Sequence, residues 1–160
     1  MSVLSQETLA NFIKDLASAK PAPASGAAGA VTLALAAGCA AKAFSVTLRH
    51  TAHPQLSLAA QRAAAIAELA LEGAQRDGDD FREWLHLHAP DTVRALEDDA
   101  RVLFHVACEL DQMLSTHDAN VLETLVPDIA SARDFLAAFK AVEVRNLSLL
   151  HTPALSVSSA

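Results

Sequence analysis

The chain has 160 residues, of which 52% are hydrophobic and only 4% aromatic, and its formal net charge at pH 7 is −7. A chain of this length forms one hydrophobic core rather than two, so we expect a single domain over residues 1–151, followed by a flexible tail over 152–160. Ala, Leu and Val supply most of the apolar content, and Ala and Leu are strong helix formers. The composition therefore predicts an all-α bundle of about five long helices. The acidic charge without a basic patch argues against a nucleic-acid partner.

The first two helices are predicted over about 6–19 and 26–49, with the proline-containing segment 21–26 between them. Ser5 is a plausible N-cap for the first helix. The second helix consists mainly of Ala and Gly, and a helix that is apolar on every side must be covered on every side. We therefore expect it at the centre of the bundle or at the interface of a homodimer. A membrane span is disfavoured because Ala and Gly contribute little to insertion and Lys42 interrupts the apolar run.

The remaining helices are predicted over about 57–75, 91–116 and 129–150, with a short helix ending near Val126. The third helix has two possible ends. It continues to about residue 87, or it stops near Gln75 and leaves the segment 77–80 as a solvated turn. For the fourth helix, Asp91 or Thr92 is the expected N-cap.

The amino-terminal segment lacks a basic region followed by an apolar core, so we expect no signal peptide. Cys39 and Cys108 lie far apart in apolar surroundings, and neither belongs to a metal-binding pattern. Reduced cysteines are typical of a cytoplasmic protein. The histidines show no spacing suited to zinc, so we expect no metal and no cofactor.

Three features are candidates for chemistry. Segment 21–26 leads directly into the second helix, whose free N–H groups and positive dipole end favour an anion, although Ser25 also fits an ordinary N-cap. Asp77 and Asp80 follow the apolar face of the third helix if that helix is continuous, and a carboxyl group in a partly dry cleft is suited to acid or base chemistry. On the last helix, Glu143 and Asn146 fall on the buried face, where polar groups need partners.

These features occur in the order found in one family, the formiminotetrahydrofolate cyclodeaminases and methenyltetrahydrofolate cyclohydrolases, which the chain resembles from about residue 8 to 150. That family opens with a helix of the form LxxFxxxLAS, which matches residues 9–18 here. A Pro-x-Pro loop, an Ala-rich helix and an Asp-rich segment ending in Phe then match residues 21–26, helix 2 and residues 77–81. Near the end, residues 127–130 and 145–147 are similar to the family's Ser-Asp segment and to its final helix, which closes on an Asn.

The resemblance implies a helical bundle that dimerises and acts on the one-carbon unit of a reduced folate, without a cofactor. The implied reaction is closure of 5-formiminotetrahydrofolate to the methenyl form with release of ammonia, or hydrolysis of the methenyl form to 10-formyltetrahydrofolate. Asp77 and Asp128 are the implied catalytic carboxyl groups. The implied substrate-binding residues are Pro23, Ala24, Ser25, Gly26, Arg49, Asp80 and Asn146, with Arg49 or Lys20 assisting an anionic group of the folate tail.

The chain also differs from the family pattern. Ala24-Ser25-Gly26-Ala27 replaces Gly-Gly-Gly-Ser, and Pro127 replaces the Ser before Asp128. If the loop requires a positive φ, Ala24 and Ser25 adopt it at a cost. The alternative hypothesis is therefore a non-catalytic or repurposed relative that keeps the bundle as a ligand-binding or assembly protein.

Overall fold

The computed structural model describes residues 8–87 and 89–150. Within these ranges the chain forms five α-helices, two short 3-10 turns between the fourth and fifth, and no strand. Ser5 and the tail over 152–160 lie outside the described residues. The all-α bundle expected from the composition is confirmed. The helices are α1 Leu9–Leu16, α2 Ser25–Thr47, α3 Pro54–Leu87, α4 Pro90–His117 and α5 Val126–Leu150.

Helix α2 is the central element, and its most extensive contacts are with α3 and α5. Its Ala side chains at 27, 30, 36, 37, 40 and 43 are fully buried, together with Leu33 and Phe44. Because a methyl group is the largest side chain at most of these positions, the neighbouring helices approach the α2 backbone closely. By length and composition α2 could cross a membrane, and half of its most apolar stretch is buried inside the bundle.

Helix α3 runs without a break for 34 residues, so the alternative of a solvated turn at 77–80 is wrong. Gly73 and Gly78 are buried within it, and the side chain of Leu103 on α4 packs directly over Gly73. Asp79 is also held within the helix by an ion pair to Arg82, at 2.7 Å. The helix therefore continues through the Asp-Gly step despite the weak helix propensity of these two residues.

The helix starts differ from the sequence-based expectation. Thr8 caps α1 by accepting a hydrogen bond from the Asn11 N–H at 3.3 Å. The N-cap of α2 is Ala24 rather than Ser25, and that of α4 is Ala89 rather than Asp91 or Thr92; neither helix has a side-chain cap. Helix α5 starts three residues earlier than expected, because a proline such as Pro127 is tolerated in a first turn, where no N–H partner is needed.

A small polar cluster closes the bundle at the carboxyl ends of α2 and α4. The buried Thr47 hydroxyl donates to the Ala43 carbonyl at 2.8 Å and accepts from the Leu122 N–H at 3.2 Å. The His117 ring packs edge-on against Phe44 and His53, and its buried Nδ1 has no hydrogen-bond partner. Burial and the neighbouring His53 lower the pKa of His117.

Candidate functional site

A cleft of about 600 Å³ opens at the other end of the bundle, where the first turn of α2 meets the carboxyl-terminal halves of α3 and α5. Val93, Leu96 and Ala100 on α4 form its apolar wall. The polar groups that line it come from Ser25, Asp77, Glu143 and Asn146, and no Lys, Arg or His of the described chain lines it. Apolar walls with a few converging polar groups are typical of a small-molecule site.

Asp77 projects from α3 onto the first turn of α2. Its carboxyl group lies so close to Gly26 that a Cβ placed there would be 2.6 Å from Cγ and 2.7 Å from Oδ2. Burial raises the pKa of Asp77 to about 6, with smaller contributions from Asp80 and Asp99, whereas a hydrogen bond from the Ala27 N–H opposes the rise. The amino-terminal end of α2, expected to bind an anion of the ligand, therefore already holds a carboxyl group of the protein itself.

Glu143 reaches the same face of α2 from α5. Its side chain is only 3% exposed, and its Oε1 would be 3.2 Å from a Cβ added at Gly29. Burial raises the pKa of Glu143 to about 7, and the negative charge of Asp77 contributes to the rise. Because Gly26 and Gly29 are three residues apart in a helix, they lie one above the other on one face, and the two carboxyl groups approach neighbouring points of it.

Ser25 and Asn146 close one side of the cleft. The Ser25 hydroxyl donates to Oδ1 of Asn146 at 2.9 Å, which joins the start of α2 to the end of α5. Ser25 is therefore a bridging residue rather than the expected N-cap. Ala24 has an extended backbone, with φ −124° and ψ −162°, and no described glycine has a positive φ. The replacement of the family's glycines by Ala24 and Ser25 thus introduces no backbone strain.

Two aromatic rings lie on the α3 side of the cleft. Phe81 and Trp84 are stacked, with ring centroids 5.6 Å apart and an angle of 28° between the planes. Phe81 follows Asp77 by one helical turn, so the aromatic faces lie next to the carboxyl group. Such a surface suits a planar heteroaromatic ligand, which would stack on the rings.

The predicted site residues are only partly brought together. Ala24, Ser25, Gly26, Asp77 and Asn146 line the cleft. Pro23 and Asp80 are half-buried beside it without lining it. Burial, followed by the charge of Asp99, raises the pKa of Asp80.

Three other predicted residues lie elsewhere. Asp128 forms an ion pair with Lys42 at 2.9 Å and is about 22 Å from Glu143 along α5, so it does not share a site with Asp77. Arg49 lies beyond the far end of α2, about 34 Å from Gly26 along the axis, and therefore does not assist a group bound at the start of this helix. Lys20 is exposed and pairs with Asp15 at 2.9 Å.

Comparison with known proteins bears on this arrangement. The family model described as formiminotransferase-cyclodeaminase matches residues 8–101, more than half of the chain. The chain belongs to this family. A search of curated proteins finds no match. Among solved structures, the formiminotetrahydrofolate cyclodeaminase from Thermotoga maritima has the same fold, with a TM-score of 0.82 at 19% identity, over 92% of this chain and 79% of that one.

In this member of the formiminotransferase-cyclodeaminase family, sequence analysis did not assign several of the cleft residues to the site. Glu143 was identified only as a polar residue on a buried face, and Phe81 only as part of a motif. The wall from α4 was missed, although its spacing of three and four residues is an ordinary helical stripe. Among the described residues, no group of three His, Cys, Asp or Glu side chains is placed to bind a metal ion.

Proposed function

We propose that this protein is a folate one-carbon enzyme, either a cyclodeaminase that converts 5-formiminotetrahydrofolate to 5,10-methenyltetrahydrofolate and ammonia or a methenyltetrahydrofolate cyclohydrolase. The observation that carries the proposal is the pair of carboxyl groups of half-buried Asp77 and buried Glu143, which line a largely apolar cleft. Family membership supports the substrate class, and the similarity in fold to the Thermotoga maritima formiminotetrahydrofolate cyclodeaminase supports the cyclodeaminase reaction.

Both reactions need proton transfer to or from nitrogen or oxygen atoms of the reacting groups. In the cyclodeaminase reaction a ring-closing nitrogen loses a proton and the departing nitrogen gains one. In the cyclohydrolase reaction the attacking water loses both of its protons; the ring nitrogen N5 gains one and the other is released. A carboxyl group with a pKa near neutrality is suited to such transfers, because it is neither fully protonated nor fully ionised at working pH. Asp77, with a pKa of about 6, meets this requirement.

The charge and shape of the cleft also suit this ligand. A protonated formimino group and the methenyl group are both cations, and the cleft presents carboxyl groups without a lining cation from the described chain. A pterin ring carries N–H donors along one edge and a flat face. The face can stack on Phe81 or Trp84.

Turnover tests this proposal directly. Purified protein is mixed with 5,10-methenyltetrahydrofolate, and loss of its near-ultraviolet absorbance is compared with a control without protein; with 5-formiminotetrahydrofolate, appearance of the same absorbance is followed. We expect acceleration of one reaction, and we expect Asp77→Asn to abolish it while the helical circular dichroism is retained. Glu68→Gln, a change at an exposed site on α3, is the matched control.

Binding is measured separately through Trp84, the only tryptophan of the chain, which lines the cleft. A folate that occupies the cleft should quench its fluorescence in proportion to occupancy. Quenching without turnover of either substrate would favour the non-catalytic relative. The absence of both quenching and turnover would refute a folate function.

We also propose a cytoplasmic homodimer, on the grounds given by the sequence. One face of α2 remains uncovered by α3 and α5, with Leu35 46% exposed and open space around Gly38. Sedimentation at micromolar concentration should give twice the mass of the chain, and a monomer would contradict the dimer.

A further inference from the structure

We propose that Asp77 and Glu143 act as a pair that holds one proton, with Asp77 as the base and Glu143 as the acid that protonates the departing nitrogen. This inference rests on the proposed folate reaction and assigns Glu143 a catalytic role in it. The geometry that carries it is the approach of two carboxyl groups, from α3 and from α5, to positions one turn apart on the glycine face of α2.

The surroundings distinguish the two groups. Asp77 lies at the first turn of α2, where the helix dipole favours negative charge and the Ala27 N–H donates a hydrogen bond to the carboxylate. Glu143 lies one turn further along α2, opposite Gly29, and is almost completely excluded from water. Two neighbouring carboxyl groups in a dry site do not both ionise readily, so the single charge belongs on the group with better stabilisation. That group is Asp77.

The charged groups around the pair do not change the assignment of the charge to Asp77 and of the proton to Glu143. From α3, Asp80 faces Asp77, and from α4 so does Asp99, whose charge is partly balanced by Arg76 at 3.0 Å. The part of α2 that faces the pair has no ionisable side chain, since its first such residues, Cys39 and Lys42, lie more than two turns beyond Gly29. The charge that acts on Glu143 is that of Asp77. The pair is therefore surrounded by negative charge, which favours retention of one proton.

The proton balance closes over one cyclodeaminase turnover. The substrate enters with its formimino group protonated, as C=NH₂⁺. The folate nitrogen N10 attacks the formimino carbon and forms the new C–N bond, the π electrons of C=N move to the imino nitrogen, which becomes a neutral NH₂ group, and the Asp77 carboxylate accepts the N10 proton. Glu143 then gives its proton to that NH₂ group, the C–N bond breaks with its electron pair leaving on nitrogen as ammonia, and the methenyl cation remains. The pair then holds one proton on Asp77 and a charge on Glu143. Transfer of that proton from Asp77 to Glu143 restores the starting state without an external donor.

The experiment combines kinetics with a titration that needs no substrate. Glu143→Gln keeps the size of the side chain but has no ionisable proton; we expect kcat to fall about 100-fold or more with KM changed little. The decline of wild-type kcat above neutral pH should be absent from its residual activity. Glu143→Asp should recover part of the rate, and Glu68→Gln should match the wild type. An unchanged kcat and pH profile in folded Glu143→Gln would overturn the assignment.

Carboxyl ¹³C NMR of the free protein provides the second arm. We expect Glu143 to remain protonated at pH 6, and Asp77→Asn should move its titration to lower pH because the neighbouring charge is gone. A Glu143 signal that is fully ionised at pH 6 would refute the shared proton. If wild type turned over neither folate, the proposed function and the acid role would both fail, and the titration alone would still show whether one proton is shared.

Discussion

Replacing the buried acid of the cleft should make the protein more stable at neutral and alkaline pH. The pKa of Glu143 rises from 4.5 to about 7 on folding, mainly through burial. At about 1.4 kcal/mol for each tenfold change in proton affinity, the ionised side chain costs the native state about 3 kcal/mol once both folded and unfolded chains are ionised. Glu143→Gln removes the ionisation and most of that cost, provided that the amide fits the same space.

The sign of the pH dependence follows from the raised pKa. Below about pH 4.5 the carboxyl group is neutral in both states, and it has no effect on the free energy of unfolding. Between 4.5 and 7 the unfolded chain releases its proton and the native state retains it, so native stability falls as pH rises. Above about pH 8 the loss is complete. The advantage of Glu143→Gln over wild type should therefore be near zero at low pH and greatest at pH 8.

Urea denaturation followed by circular dichroism at pH 5 and pH 8 measures this difference. We expect Glu143→Gln to exceed wild type by about 2–3 kcal/mol at pH 8 and by much less at pH 5. Glu68→Gln, at an exposed position, should stay within about 0.5 kcal/mol of wild type at both values. A variant that is equally stable or less stable at pH 8 would refute the reasoning, because burial of the charge would then have no cost.

Three further predictions concern other parts of the bundle. Gly26→Ala should lower kcat/KM at least tenfold in the turnover assay, because its Cβ displaces the Asp77 carboxyl group. Asp128→Asn should keep turnover within about twofold in the same assay, since general-acid or base losses are typically 100-fold or more and Asp128 lies outside the cleft; a loss as large as that of Asp77→Asn would assign it to catalysis. Because folding lowers the pKa of His117, protonation of this ring favours the unfolded chain, and the protein should lose stability as pH falls below 6.5. His117→Phe should reduce that loss when Tm is measured as a function of pH. A variant with the same pH dependence of Tm as the wild type would contradict this prediction.

The fold was predictable because its strongest determinants are local. The Ala-rich run that forms α2, the proline segments between helices and the apolar stripe of α1 each indicate an element without knowledge of its neighbours. The central position of α2 followed from its lack of a polar face. The end of α3 was left open because the Asp-Gly step is a weak helix breaker, and the packing of Leu103 over Gly73 is a contact between helices that the sequence does not show.

The candidate site was only half predictable for a related reason. Asp77 and Gly26 belong to motifs, and each can be recognised along the chain. Glu143 acquires its significance only when α5 packs beside α2 and places its carboxyl group opposite Gly29. Arg49 was assigned for its charge, although the predicted span of the second helix, 26–49, already placed it at the end opposite the cleft. The sequence shows which residues are present, but the packing of α2, α3 and α5 determines which of them line the same cleft.

The carboxyl groups of Asp77 and Glu143 both pack against helix α2, but α2 itself contributes few functional side chains to the cleft. The packing leaves no room for a side chain at Gly26 and Gly29, and room for only a methyl group at the buried Ala positions of α2. Such a constraint restricts size rather than chemical identity, so exchanges among small residues leave the geometry intact. Sequences can therefore diverge far while the backbones remain superimposable, as the 19% identity and TM-score of 0.82 with the Thermotoga maritima structure illustrate.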